Sequence, residues 1–183
     1  EAEFVEDVPE MTASANTTEI VYNVNAAIDY ANMYCGVGWL MQDYTSDSGV
    51  NLSGNHENFY NEDYTLYEGR DCANFVSQCM YAGGFPTDEQ WAPNIWCWVN
   101  ARGLSQYLKN EGYQAYMVYD ADSNNLPNYD VIYPGNPVYW LYPDGSPASG
   151  HQMICTGYNS VGIPVVNGHN NDMFRVPLSW FTV

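Results

Sequence analysis

The apolar residues change their period part-way along the chain, and that change limits the fold more than any other feature. Up to residue 110 they recur at helical spacing. Ala27, Ile28, Ala31, Tyr34 and Cys35 fall on one face of a helix predicted over residues 24–34. Cys72, Phe75, Val76, Cys79 and Met80 form a second stripe over 71–81. Asp71 offers an N-cap there, and Gly83, Gly84 and Pro86 stop the helix. A third helix is predicted over 96–110, ahead of Gly112. Beyond it the runs become short, β-branched or aromatic, and bounded by turn residues. They predict strands over 114–119, 130–133, 152–158 and 163–167, with 159–162 joining the last two as a hairpin. Helices first and antiparallel strands afterwards predict an α+β domain, with N-terminal helices packed on a small antiparallel sheet.

A chain of 183 residues is long enough for one domain, and its 46 % hydrophobic content excludes wholesale disorder. The expected division is a vector-derived scar at 1–4, an acidic Ser/Thr-rich arm at 5–21 and a single domain at 22–183. Residues 43–63 are polar and read as a long loop. The sequons at Asn16 and Asn51 fit passage through a secretory route. No run approaches the roughly 18 apolar residues that cross a bilayer, so membrane insertion is not expected. With 22 acidic and four basic residues, the formal charge of −18 repels phosphate backbones and argues against a nucleic-acid partner. A secreted, extracellular monomer is expected.

The candidate chemistry starts at Cys72. It sits in the first turn of a predicted helix, where unpaired N–H groups and the helix dipole favour an anion, so its pKa is expected to fall. The plain alternative is a core cysteine on an amphipathic helix. If Cys72 is chemical, Cys35, Cys79, Cys97 and Cys155 remain, which allow two disulfides in any of three pairings. A base must accompany the thiol. Of the three histidines, His56 lies in a polar loop, and His151 opens the 152–158 strand beside a Gly/Ser/Pro-rich loop. His169 follows the next strand. The imidazole needs an acceptor on its other nitrogen. Asn167 ends the strand expected to pair with that of His151 and is the first choice, with His169 the possible third member. Asp120-Ala121-Asp122-Ser123-Asn124 has the look of a calcium loop but lacks its glycine and its closing glutamate. No metal and no cofactor are expected.

Asp71-Cys72-Ala73-Asn74-Phe75-Val76-Ser77-Gln78, followed by Ala82-Gly83-Gly84, resembles the nucleophile motif of the bacterial putative amidase domain family. That family is related to CHAP-type and papain-like cell-wall cysteine peptidases. Asp130-Val131-Ile132, His151-Gln152-Met153-Ile154 and Gly168-His169-Asn170-Asn171-Asp172 resemble its later motifs in the right order. The likeness spans roughly residues 22–181. It implies a papain-like fold, Cys72 as nucleophile, His151 as general base and acid, and a polar third member at Asn167 or nearby. By the same resemblance, a tyrosine upstream of the cysteine serves the oxyanion, with Tyr64 and Tyr67 the candidates. Tyr129 stands where the family carries glycine, and the loop 134–149 is long. Tyr133 ahead of that loop, and Tyr139, Trp140 and Tyr142 within it, are candidates to line a substrate groove. The expected substrate is peptidoglycan or another peptide, although the acidic surface suits an anionic wall poorly except at low pH. The competing readings are a peptidase or deamidase of proteins, and a catalytically silent surface-binding module.

Overall fold

The structure is a computed structural model that describes residues 21–35, 49–51, 60–118, 126–141, 150–169 and 172–181. The proposed scar, most of the arm, His56, the calcium-like loop over 120–124 and Tyr142 lie outside these residues.

The first helix, α1 (Val24–Met33), begins where the Asn23 side chain accepts the Ala26 N–H at 3.1 Å. Its buried residues are Ala27 and Ala31, small enough to bring it close onto α2 (Cys72–Ala82). The sequence predicts one apolar stripe on α2, but every residue from Cys72 to Met80 is buried. The polar members are bonded, except that Gln78 Nε2 has no partner among the described residues. Ser77 Oγ donates to Trp98 O at 2.9 Å and accepts the Trp91 indole N–H at 3.1 Å, and Gln78 Oε1 accepts the Tyr30 hydroxyl at 2.7 Å. At the far end the Gly83 N–H returns to Cys79 O. A Cβ on Gly83 would lie 2.4 Å from the Tyr22 ring, so only glycine fits.

The predicted third helix is two helices, α3 (Trp96–Val99) and α4 (Ala101–Asn110). Asn100 between them is extended (φ −115°, ψ 128°), and its side chain accepts the Gly103 N–H at 2.9 Å. Asparagine competes well for a cap and poorly for a helix interior, so the chain breaks there. The break turns Trp98 inward, where its indole N–H donates to Asn74 Oδ1 at 2.8 Å.

Among the described residues five antiparallel strands form one sheet in the order β1-β5-β4-β3-β2, so the α+β expectation holds. They are β1 (Gly49–Asn51), β2 (Pro137–Leu141), β3 (Gly150–Tyr158), β4 (Pro164–Gly168) and β5 (Asp172–Pro177). The predicted hairpin is β3–β4, and Asn159 Oδ1 closes its turn by accepting the N–H groups of Val161 and Ile163.

The other two predicted strands are not strands. Residues 114–118 join no ladder; Tyr119, their predicted end, lies outside the described residues. Residues 129–131 form a 3-10 turn (Tyr129–Val131) capped by Asn128. Val118, Tyr129, Val131 and Ile132 pack as a cover on the sheet, so their hydrophobicity reflects burial rather than a ladder. Conversely β1 and β2 lie in segments that read as loops, and β5 carried no strand signal. Pairing with neighbours supplies what their local pattern lacks.

Alternation along β3 divides the interior. Ile154 faces the helices, in a core with Phe75, Val76, Trp91, Trp98 and Leu104. Met153 and Cys155 face the other way, with Val166, Met173 and Val176. All five cysteines are free thiols, in place of the two possible disulfides. No described helix is long and apolar enough to cross a membrane.

Candidate active site

Cys72 is the first residue of α2 and is only 7 % exposed. Its sulfur meets the backbone N–H of Gln152 on β3 and the N–H groups at the start of its own helix. These contacts favour the thiolate, as the helix position led us to expect. Burial outweighs them, helped by the neighbouring Asp71 charge, and the pKa is raised rather than lowered. Ala73, Ala101 and the Tyr139 ring complete the apolar wall around the sulfur. Tyr139 pairs with Gln152 across β2 and β3, which sets it on the same sheet face as Cys72. Its ring lies over Gly150, where a Cβ would fall 2.1 Å from it, so glycine at 150 makes room for the phenol.

His151 adjoins the residue whose N–H meets the sulfur. Its ring is 8 % exposed and turns toward β4, so that a Cβ on Gly168 would lie 3.6 Å from Nε2. Burial lowers its pKa to about 4, so the ring is neutral at neutral pH and able to accept a proton. Among the described residues no sulfur–imidazole hydrogen bond joins Cys72 to His151.

Beside the thiol lies a buried polar pair. Asp71 Oδ2 is 2.6 Å from His169 Nδ1, and His169 Nε2 is 2.7 Å from Tyr34 O. The carbonyl is only an acceptor, so Nε2 carries a proton. Asp71 Oδ1 accepts from Tyr67 N at 3.2 Å and from Asn74 Nδ2 at 2.7 Å. Asp71 therefore holds the N-cap position of α2 without its side chain capping the helix. The carboxylate instead ties the helix start to β4, to α1 and to the preceding turn. Phe75 stacks on the His169 ring at 4.0 Å. Among the described residues no group of three His, Cys, Asp or Glu side chains is placed to hold a metal ion.

The family model described as a putative amidase domain matches residues 21–183. The chain belongs to that family. An uncharacterized protein of Bacillus subtilis (strain 168), YjcM, is 32 % identical over 127 residues, which cover 67 % of this chain and 30 % of the relative. The chain therefore spans less than a third of that relative's length. No solved structure matches.

Membership in the amidase-domain family points to amide hydrolysis, and the structure sorts the residues the sequence singled out. Asn167 is not brought to His151. It pairs with Ile154, which turns it to the helix face, and all its polar atoms are used there. Nδ2 donates to Ala31 O and Asn32 Oδ1, and Oδ1 accepts from Thr156 Oγ1 and Arg175 N. His169 is likewise held on Asp71, away from His151. Tyr67 gives its hydroxyl to Asn94 at 2.9 Å, and Tyr64 stacks on Trp98 at 6.0 Å. Of the described groove candidates, Tyr139 is the one placed beside Cys72. Trp140 packs on the other face against Phe181, and Tyr133 is 57 % exposed. Sequence reasoning missed Gln152 and the second role of Asp71. The one available signal was an acid directly before the cysteine.

Burial of His151 has a consequence for stability. The folded pKa of about 4 lies below the ordinary 6.5. Above pH 6.5 the ring is neutral in both states and nothing is lost. As pH falls below that value the unfolded chain takes up the proton first, and stability drops until about pH 4, where the loss levels off near 3 kcal/mol. Urea unfolding of the wild type and His151→Gln at a series of pH values should show their stability difference changing by about this amount between neutrality and pH 4. A difference independent of pH would contradict the assignment.

Proposed function

We propose that the protein is a secreted cysteine amidohydrolase of papain-like architecture, akin to CHAP-type peptidases, that cleaves amide bonds in peptidoglycan peptides. The observation that carries this reading is the Cys72 sulfur, set at the start of a buried helix and against the N–H next to His151. A raised thiol pKa and a lowered imidazole pKa make the resting pair neutral, so the proton moves with the attack rather than before it. His151 accepts the thiol proton as sulfur adds to the carbonyl carbon. Gln152 and Ile154 face the helices, so His151 leaves β3 from the opposite face, and this step requires the strand end at 150–152 to rearrange as substrate binds rather than the ring alone to turn. The oxyanion takes the Cys72 backbone N–H, and the Tyr139 hydroxyl is the nearby phenol suited to be the second donor. His151 then gives its proton to the departing amine, and water, deprotonated by the same ring, releases the acid.

The test is incubation with purified peptidoglycan followed by mass analysis of the released material. Free stem peptides or shortened stems are expected, and their masses locate the bond. Sedimentation with the wall but no released peptide would make the protein a binding module. Cleavage of protein substrates alone would make it a protein peptidase or deamidase.

A further inference from the structure

Cations are scarce in this chain, with four basic residues against 22 acidic ones. Their positions are therefore informative. Arg175 on β5 donates from Nη2 to Tyr158 O at 3.4 Å. Lys109 is exposed in the last turn of α4, where it complements the helix dipole. The other two lie close to Cys72 along the chain or through its neighbour Ala101. Arg70 is exposed two positions before it, in a turn closed by the Arg70 N–H on Tyr67 O at 2.9 Å. Arg102 is exposed directly after Ala101, and Ala101 packs in one cluster with Cys72, Ala73 and Tyr139. The Tyr139 phenol registers Arg102 and the thiol: burial raises its pKa, Arg102 lowers it, and Cys72 raises it. The acid nearest in sequence to Arg70 is Asp71, which is buried on His169, and Glu68 is the exposed acid of the same turn.

An acidic peptide approaching a surface of net charge −18 is repelled everywhere except where local cations reverse the field. We propose that Arg102, with Arg70 two positions before the cysteine adding positive charge, binds a carboxylate of the substrate next to the Cys72 thiol, so that the enzyme selects amides flanked by a free carboxylate over their neutral counterparts. This rests on the amidase reading and narrows its substrate class. Arginine suits the task because its planar fork meets a carboxylate with two parallel hydrogen bonds. The same contact would orient the scissile carbonyl against the sulfur.

Two sets of synthetic peptides test the proposal. They are identical except that a glutamate carboxylate on either side of each amide is replaced by the carboxamide of glutamine. The wild type should hydrolyse the carboxylate form roughly tenfold better in kcat/KM, mainly through KM, and salt should shrink the difference. Arg102→Gln should bring the ratio toward one, and Arg102→Lys should restore part of it. Lys109→Gln, which removes the same charge far along α4, should keep the wild-type ratio. Equal turnover of both forms by the wild type overturns this proposal and leaves the amidase reading standing. An equal loss for both forms in Arg102→Gln also overturns it. Turnover of neither form by the wild type overturns the amidase reading, and this proposal with it.

Discussion

Cys72→Ala is expected to abolish amide hydrolysis, lowering kcat/KM by at least about 10⁴-fold, because in the proposed mechanism its sulfur forms the acyl-enzyme. The same change should barely alter stability. The sulfur is a small part of a wall made by Ala73, Ala101 and Tyr139, and alanine fills the same site with one atom fewer. What is lost is the contact with the Gln152 N–H, a term of about 1 kcal/mol, or a few degrees in melting temperature for a domain of this size. Activity and thermal unfolding measured on one preparation separate the two. Turnover near the wild-type rate would remove Cys72 from the chemistry, and collapse of the fold would make it a packing residue.

The largest loss of stability is expected at the neighbouring position. Asp71→Ala leaves the donors Tyr67 N and Asn74 Nδ2 without their acceptor and His169 Nδ1 without its partner. Asp71 and His169 are 0 % and 2 % exposed, so water does not readily replace the carboxylate. Each buried group left without its partner costs about 1–3 kcal/mol, so the loss should reach several kcal/mol. Asp71→Asn keeps an acceptor of the same shape and should cost less. Urea unfolding of both variants gives the comparison. A loss below about 1 kcal/mol for Asp71→Ala would show the pair to be solvated. Because Asp71 immediately precedes Cys72, the alanine variant should also lose activity as the helix start loosens, even though Asp71 touches no reacting atom.

Legibility in the sequence followed the range of the forces involved. The helices over 24–34 and 71–81 were readable because their stops and starts are local: Asn23 caps, Gly83 terminates, and apolar residues recur within a few positions. The β3–β4 hairpin was readable for the same reason, since Asn159 closes its turn within four residues. The 96–110 helix was misread because a single cap at Asn100 divides it, and its apolar period runs through the break. The strand predicted at 130–133 failed because Val131 and Ile132 cover the sheet instead of extending it; within 114–118 only Val118 packs there, while Tyr116 and Met117 are exposed and join no ladder. Strands β2 and β5 were missed because a strand's existence depends on a partner distant in sequence.

By its own pattern the sequence determined the order of helices before sheet, the central helix that begins at Cys72, and membership in an amidase family through the residues around it. Only the tertiary structure decided which side chains meet. Strand register turned Asn167 toward α1, brought Tyr139 to the thiol, and placed His169 on Asp71. It also reversed the expected direction of the Cys72 pKa, because burial is a property of the assembled core, whereas the helix start that favours the thiolate is local. Register and burial depend on contacts such as that of Asn167 with Ala31, 136 positions apart, which no local periodicity encodes.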